Sequence, residues 1–293
     1  MKSKGYMIRM LPFNLKKSVA CCLLLLVCSI CNGQTSGGET LGYAVHEGTA
    51  MGIGETEPCP MFSIVKFPQA LFVCERMQRS GRRLDETITV RKSRLMKNTW
   101  SPMLARMGDK CRFSYAELLA LSLQESDNNA CDLLFCAFGK PRKVERYMKR
   151  LGFEGISVGA TERQMMRHRE KSSLNSSTPK DMVGLLEWFY QHREDNGYLS
   201  YVWELMANCQ TGTTRIPSAL SSDDVIVHKT GTGFPTDKGV SAINDAGIII
   251  HPDGTHSVIA LFALNYPDTE QAEASIRRQA ATFLSQWRTL PNE

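Results

Sequence analysis

The sequence predicts a mixed α+β fold: an antiparallel sheet built from both ends of the chain and flanked by helices, with an all-helical subdomain between. Three observations predict it. Strand-like segments occur near residues 41–46 and again after residue 225, while the stretch between them carries apolar residues at helical spacing. The chain changes character once on the way in and once on the way out, which places residues 41–62 and 213–290 in the sheet part and residues 63–212 in the helical part of one domain. At 293 residues, 42% hydrophobic and 22% charged, it is long and apolar enough for a large core and ordinary for a globular protein.

The first residues stand apart. Lys2, Lys4, Arg9, Lys16 and Lys17 precede the apolar run 18–31, and small or polar residues follow, Cys31-Asn32-Gly33. A basic stretch, a short apolar run and then small residues read as a secretory signal over residues 1–33. The run is shorter than the roughly 20 residues a spanning helix needs. Export to the periplasm is therefore expected, with a lipid anchor at Cys28 or Cys31 as the lesser alternative. Removing five of the 35 basic residues leaves as many bases as the 30 acids, so the net charge of +5 gives no argument for nucleic acid.

Six cysteines remain after the leader: Cys59, Cys74, Cys111, Cys131, Cys136 and Cys209. Export permits disulfides, and six cysteines allow 15 full pairings that sequence does not rank. No Cys/His spacing suits a metal, so no metal and no cofactor is expected.

Along the chain, Leu41–His46 reads as a strand and Gly48–Pro60 as turn-rich. A helix follows Ser63, with Ala70, Leu71, Val73, Cys74 and Met77 as its stripe and Gly81 as its end. Ser114-Tyr-Ala-Glu117 is a capping box ahead of Leu118 and Leu121. The basic run 140–150 is a solvated helix face, and Thr178-Pro179 opens another helix. Val225–Lys229 is a strand. Ala246–His251 and His256–Tyr266, joined by Pro252-Asp-Gly254, form a hairpin, and Ile276, Ala280, Phe283 and Trp287 share one face of a last helix.

Three short motifs carry chemistry. Ser63-Ile-Val-Lys66 puts a hydroxyl and an amine on one helical face, and a partly buried lysine near other cations can activate a serine. Ser126-Asp127-Asn128 supplies a relay hydroxyl and an amide, although such a run also caps helices. Lys229-Thr230-Gly231-Thr232 offers a cation and hydroxyls to a carboxylate, with Gly231 allowing close backbone approach. Each alone is near chance level.

In this order, at a helix start, an interhelical loop and a strand end, they are the S-x-x-K, S-D-N and K-T-G signature of class A β-lactamases and penicillin-binding proteins, and the chain resembles that superfamily from about Leu41 onward. The resemblance implies the serine β-lactamase/penicillin-binding-protein-like fold and a β-lactam substrate. Ser63 is the implied nucleophile and Lys66 its partner. Ser126 is the implied proton relay, and the backbone N–H groups of Ser63 and Thr232 the oxyanion hole. Asn128, Lys229, Thr230, Gly231 and Thr232 would bind substrate. In class A enzymes a glutamate 36 residues beyond the second motif's serine activates the deacylating water, and that position is Glu162. Glu170, in a stretch resembling the family's ExxLN, is the rival.

Further stretches resemble the PER/VEB/CfxA-like subgroup: the longer loop from Glu162 to Asn175, Trp100 in Thr-Trp-Ser-Pro as an aromatic gate, Arg215 in Thr-Gly-Thr-Thr-Arg as support for the substrate carboxylate, and Asn244-Asp-Ala-Gly-Ile-Ile. That likeness implies a monomeric enzyme without an obligate protein partner, favouring cephalosporins. Two departures stand out. Met166 occupies the place of a polar residue that holds the deacylating water. Only about thirty residues precede Ser63 after the signal, which leaves room for one strand but little for the family's long first helix and its packing behind the sheet. These departures keep open a slowly deacylating penicillin-binding protein or a non-catalytic binder of cell-wall fragments.

Overall fold

A computed structural model describes residues 37–288; the expected leader lies outside the described residues. Five long strands form the main sheet: β1 (Glu39–His46), β2 (Thr49–Ile53), β3 (Val225–Thr232), β4 (Gly239–Ile250) and β5 (His256–Tyr266). Their order is β2-β1-β5-β4-β3, every neighbouring pair is antiparallel, and the short strand Pro235–Thr236 lies beside β4. The first and last parts of the chain thus meet directly, with Leu41 opposite Phe262.

Strand alternation sorts the sheet's two faces. Val227, Ala246, Ile248, Val258, Ala260 and Phe262 join the core shared with the helical segment. Ala44, Ile243, Ile249, Ile259 and Leu261 meet Ile276, Ala280, Phe283 and Leu284 of the last helix, Thr269–Arg288. The central strands are buried on both faces, so they read as near-continuous apolar runs. Burying each large side chain of this kind contributes roughly 1.5–3 kcal/mol. The packing questioned behind the sheet is therefore supplied by the last helix, whose Trp287 also stacks on His46 of β1.

The turn-rich reading of residues 48–60 needs correction. Thr49–Ile53 is the edge strand β2, and Cys59-Pro60 pairs with Ser176-Ser177. Glu47 and Gly48, with φ of 43° and 79°, form the two-residue loop between His46 and Thr49. Positive φ at both central residues is the hairpin turn that matches strand twist. An edge strand mostly exposed on both faces lacks the alternation that would have marked it.

The helical segment comprises α1 (Lys66–Ser80), α2 (Tyr115–Leu123), α3 (Asn128–Phe138), α4 (Pro141–Arg150), α5 (Glu162–Arg167), α6 (Pro179–His192) and α7 (Gly197–Ala207), with a short helix Pro102–Arg106. It is not all-helical as expected: Thr87–Arg91 pairs antiparallel with Lys110–Ser114, and Ser157–Val158 with Asn175–Ser176, short strands too small and too exposed to show a pattern. The capping box at Ser114–Glu117 forms. α1 is wholly buried over Lys66–Cys74 and runs through the middle of the core. All six described cysteines are free, so none of the possible disulfides forms among the described residues.

Candidate active site

Ser63 lies in a 3₁₀ turn, Phe62–Val65, and α1 begins only at Lys66. The expectation of a single α-helix over both residues is corrected by one turn. In a 3₁₀ turn residues i and i+3 eclipse, and Lys66 Nζ donates to Ser63 Oγ at 2.9 Å. Phe62, just before the serine, has φ of 46°. A non-glycine residue there is strained by the order of 1–3 kcal/mol, a cost found where surrounding packing over-determines a site. The ring of Phe62 is held edge-on to Phe234.

Lys66 is fully buried and sits at the hub. Besides Ser63, its ammonium reaches Ser126 O at 2.8 Å, Ser126 Oγ at 3.2 Å, Asn128 Oδ1 at 2.7 Å and Glu162 Oε1 at 3.3 Å. An ammonium has three donors, so the four hydrogen-bonded oxygens share them and Glu162 Oε1 pairs with it through charge. Ser126 takes up a left-handed conformation, φ 59°, which leaves its hydroxyl between two lysines: Lys229 Nζ donates to the same Oγ at 3.0 Å. The middle residue of this motif is structural. Asp127 is the N-cap of α3, accepting from Ala130 N, and it also accepts from Ser101 Oγ and Met103 N. Capping and site-building are both true of the one tripeptide. Asn128 Nδ2 donates to Thr99 Oγ1 at 2.7 Å, and Trp100 Nε1 donates to Glu125 O at 2.8 Å, leaving an indole that is 63% exposed at the cavity rim.

Strand β3 closes the other side. A Cβ on Gly231 would stand 2.4 Å from Met61 O, so only glycine lets the strand approach the segment that carries Ser63. Burial pushes the Lys229 ammonium down to about 7, and the positive charges of Lys66 and Arg215 act in the same direction. Arg215 is buried behind β3: it donates to Gly231 O at 3.1 Å, Asn244 O at 2.9 Å and Thr232 Oγ1 at 2.9 Å, and pairs with Glu273 at 3.2 Å. Thr230 Oγ1 meets Thr211 Oγ1 at 2.6 Å.

Glu162 opens α5, while Glu170 is out in the loop with its side chain 74% exposed. The geometry places Glu162, and not its rival, beside Lys66. Sequence reading missed what holds it there. Thr161 and Gln164 form a second capping box, a T-x-x-Q signal that was there to be read. Asp132, from α3, accepts from Glu162 N at 2.8 Å and Arg163 N at 3.0 Å. Burial first, and the Glu162 charge second, raise the Asp132 carboxyl to about 6. Asn175, fully buried, closes the loop's base with bonds to Gly159 N, Ala160 N and Ala160 O.

These groups surround a cavity of about 400 Å³ whose lining includes Ser63, Ser126, Asn128, Thr230, Thr232 and Trp100. Met166 lines it too and is 38% exposed. The site combines a hydroxyl with an amine in contact, a carboxylate on the same amine, a relay hydroxyl between two amines, and a cationic strand end. That set can transfer an acyl group to Ser63 and then release it.

Known proteins resemble this chain in sequence and in fold. The sequence profile of the β-lactamase enzyme family matches residues 33–287. A β-lactamase of Bacteroides uniformis is 31% identical over 257 residues, 85% of each chain. The extended-spectrum β-lactamase PER-1 of Pseudomonas aeruginosa is 30% identical over 231 residues, 78% of this chain and 75% of that one. Among solved structures, a β-lactamase from Chitinophaga pinensis superposes with a TM-score of 0.81 at 29% identity, covering 85% of this chain and 94% of that one. On the strength of the matched profile, the fold and the relatives, the chain belongs to the β-lactamase enzyme family, as a class A serine enzyme.

Proposed function

We propose that this protein hydrolyses β-lactams through an acyl-enzyme on Ser63, with cephalosporins favoured. The observation that carries the reading is the Lys66 ammonium, within 3.3 Å of Ser63 Oγ, Ser126 Oγ, Asn128 Oδ1 and Glu162 Oε1 at once. Ser63 Oγ attacks the lactam carbonyl and loses its proton to Glu162 through a water, or directly to Lys66 in its uncharged amine form. The N–H groups of Ser63 and Thr232 hold the oxyanion. Ser126 delivers a proton to the departing nitrogen and is resupplied from its two lysines. Lys229, Thr230 and Thr232 anchor the substrate carboxylate, and Arg215 holds the Thr232 hydroxyl in place. Asn128 contacts the acylamino group and Trp100 covers the ring. Glu162 then takes a proton from water, which attacks the ester and frees Ser63.

Met166 favours a second reading, in which the same acylation is followed by slow release. It offers the cavity no useful hydrogen bond at the place where a water must be held. Intact mass against time after mixing with a chromogenic cephalosporin tests both. Hydrolysis predicts a transient adduct with colour development, both lost in Ser63→Ala. A persistent adduct selects the slow reading, and no adduct at all removes both. We also propose export to the periplasm, supported by the basic-then-apolar leader; mature protein beginning at residue 1 in cell fractions would refute it.

A further inference from the structure

A second cavity, of about 870 Å³, opens between the α3–α4 junction and the start of α5, and it shares no lining residue with the substrate cavity. Lys140, Arg142, Lys143 and Arg146 line it, and no Asp or Glu does. With the leader set aside the chain holds as many acids as bases, so this is a local excess of positive charge. Glu145, buried on the same helix, pairs with Arg142 at 2.8 Å. The side chains of Lys140, Lys143 and Arg146 have no acid and no hydrogen-bond partner among the described residues. Elsewhere on the surface Arg79, Arg83, Arg106, Arg150 and Arg193 each meet a carboxylate.

Local folding lines these cations up. Val144, Tyr147 and Met148 are buried and fix which face of α4 turns inward. Lys140, Lys143 and Arg146 recur every third residue, which sets them along one side of that helix. Like charges at this spacing repel, and an anion in the cavity would offset what no neighbouring acid does. Gly139 gives one of them room, because a Cβ there would stand 2.8 Å from Lys143 Cδ. The facing wall also presents donors. Gln164 Oε1 accepts from Thr161 N at 2.9 Å, which leaves the two N–H donors of that amide for an occupant. Phe135 and Pro141, both buried, add an apolar floor, and exposed Cys136 lines the same cavity.

The volume is larger than a simple ion needs and suits a small organic molecule. Positive charge and donors without a carboxylate select an anion rich in acceptor oxygens, and an arginine fork beside lysine point charges is a phosphate-binding set. We propose that this cavity is a second ligand site, separate from the catalytic one, for a phosphate-bearing organic anion held by Lys140, Lys143 and Arg146. A free phosphorylated compound and the headgroup of an anionic lipid present the same chemistry to these cations. The inference goes beyond the hydrolytic reading and does not depend on it.

The test uses the full mature chain, with Cys136 as the reporter. Iodoacetamide labelling followed by peptide mass mapping reads its accessibility, with Cys111, outside the cavity, as the reference thiol. Inorganic tripolyphosphate is expected to slow labelling of Cys136 several-fold, and sodium chloride at equal ionic strength is not. Lys143→Gln and Arg146→Gln should each weaken this protection about tenfold, the worth of one charge-assisted hydrogen bond. Lys149→Gln, on the same helix but outside the cavity, should leave it unchanged. Thermal melts show that each variant is folded. Protection reproduced by salt, or weakened as much by Lys149→Gln, overturns the cavity as a site. Vesicles of phosphatidylglycerol, set against vesicles of phosphatidylcholine, separate the two sources. Co-sedimentation with the anionic vesicles together with protection of Cys136 assigns the phosphate to a lipid headgroup, and protection by tripolyphosphate alone assigns it to a free compound. Protection by neither overturns the proposal, and so does co-sedimentation that leaves Cys136 unprotected. Acylation of Ser63 by a cephalosporin is measured on the same protein, so failure of the hydrolytic reading is seen apart from failure of this one.

Discussion

Glu162 Oε1 lies 3.3 Å from Lys66 Nζ, and both side chains are almost wholly removed from solvent. The amine that touches the nucleophile therefore also touches the group placed to activate water, so the two half-reactions share one cation. Removing the carboxylate's basicity while keeping its shape separates them. Glu162→Gln is expected to lose about 10²–10⁴ in kcat, the usual worth of a general base. Adduct at Ser63 should accumulate, read by intact mass. A Gln variant that turns over at the wild-type rate would remove Glu162 from the mechanism.

Lys229 gives a pH prediction. Burial lowers its ammonium to about 7, so the free enzyme loses the anchoring cation as pH rises through that value. KM for a carboxylate-bearing substrate is expected to climb above about pH 7, and Lys229→Arg, which stays charged, should flatten that limb. The stability sign is opposite. Between about 7 and the ordinary lysine value the unfolded chain binds more protons, so this group's contribution to stability rises with pH over that window. KM profiles and denaturant melts check the two halves.

Asp132 does its work through two backbone N–H groups, those of Glu162 and Arg163. Asp132→Ala leaves both without a partner at the start of α5, which costs on the order of 1–3 kcal/mol. The loss should fall on deacylation more than acylation, because Asp132 holds the start of α5, which Lys66 meets through Glu162. Asp132→Asn keeps one acceptor and should recover part of the rate. Pre-steady-state acylation and deacylation rates distinguish these outcomes.

Met166 faces the cavity with no hydrogen-bonding group to offer a water. Met166→Asn is expected to speed deacylation several-fold without altering acylation. The intact-mass time course measures it directly, and an unchanged adduct lifetime would show that this position does not limit release.

Gly231 tests the fit of β3 against the nucleophile. Gly231→Ala drives a methyl into Met61 O at 2.4 Å, so one backbone must move, at a cost of about 1–3 kcal/mol. Thermal denaturation reads the loss of stability, and acylation should slow alongside.

Much of this molecule was legible in the chain. The hairpin of residues 246–266, the last helix, the capping box at Ser114 and the helix ending at Gly81 all announced themselves through period and punctuation, although the hairpin's first strand begins earlier, at Gly239. Strand β2 did not, because an exposed edge strand has little hydrophobic pattern to show. Trp100, Asn128, Thr230 and Thr232 were named from motifs and do line one cavity. Asp132 and Phe234 were not named, because each acts on a partner at least 30 residues away and belongs to no short motif.

The sequence by itself determined which groups are present and the spacing of those one turn apart: Ser63 with Lys66, Thr161 with Gln164, Asp127 with Ala130. Backbone geometry converts such spacing into contact without help from the rest of the fold. Only the tertiary structure decided that Ser126 and Glu162 meet the buried amines of Lys66 and Lys229, across separations of 60 to 103 residues in the chain. It also decided their electrostatics. Lys229 is lowered because folding strips water from it and brings other cations near. Desolvation and through-space charge depend on packing, and no local pattern of residues encodes them.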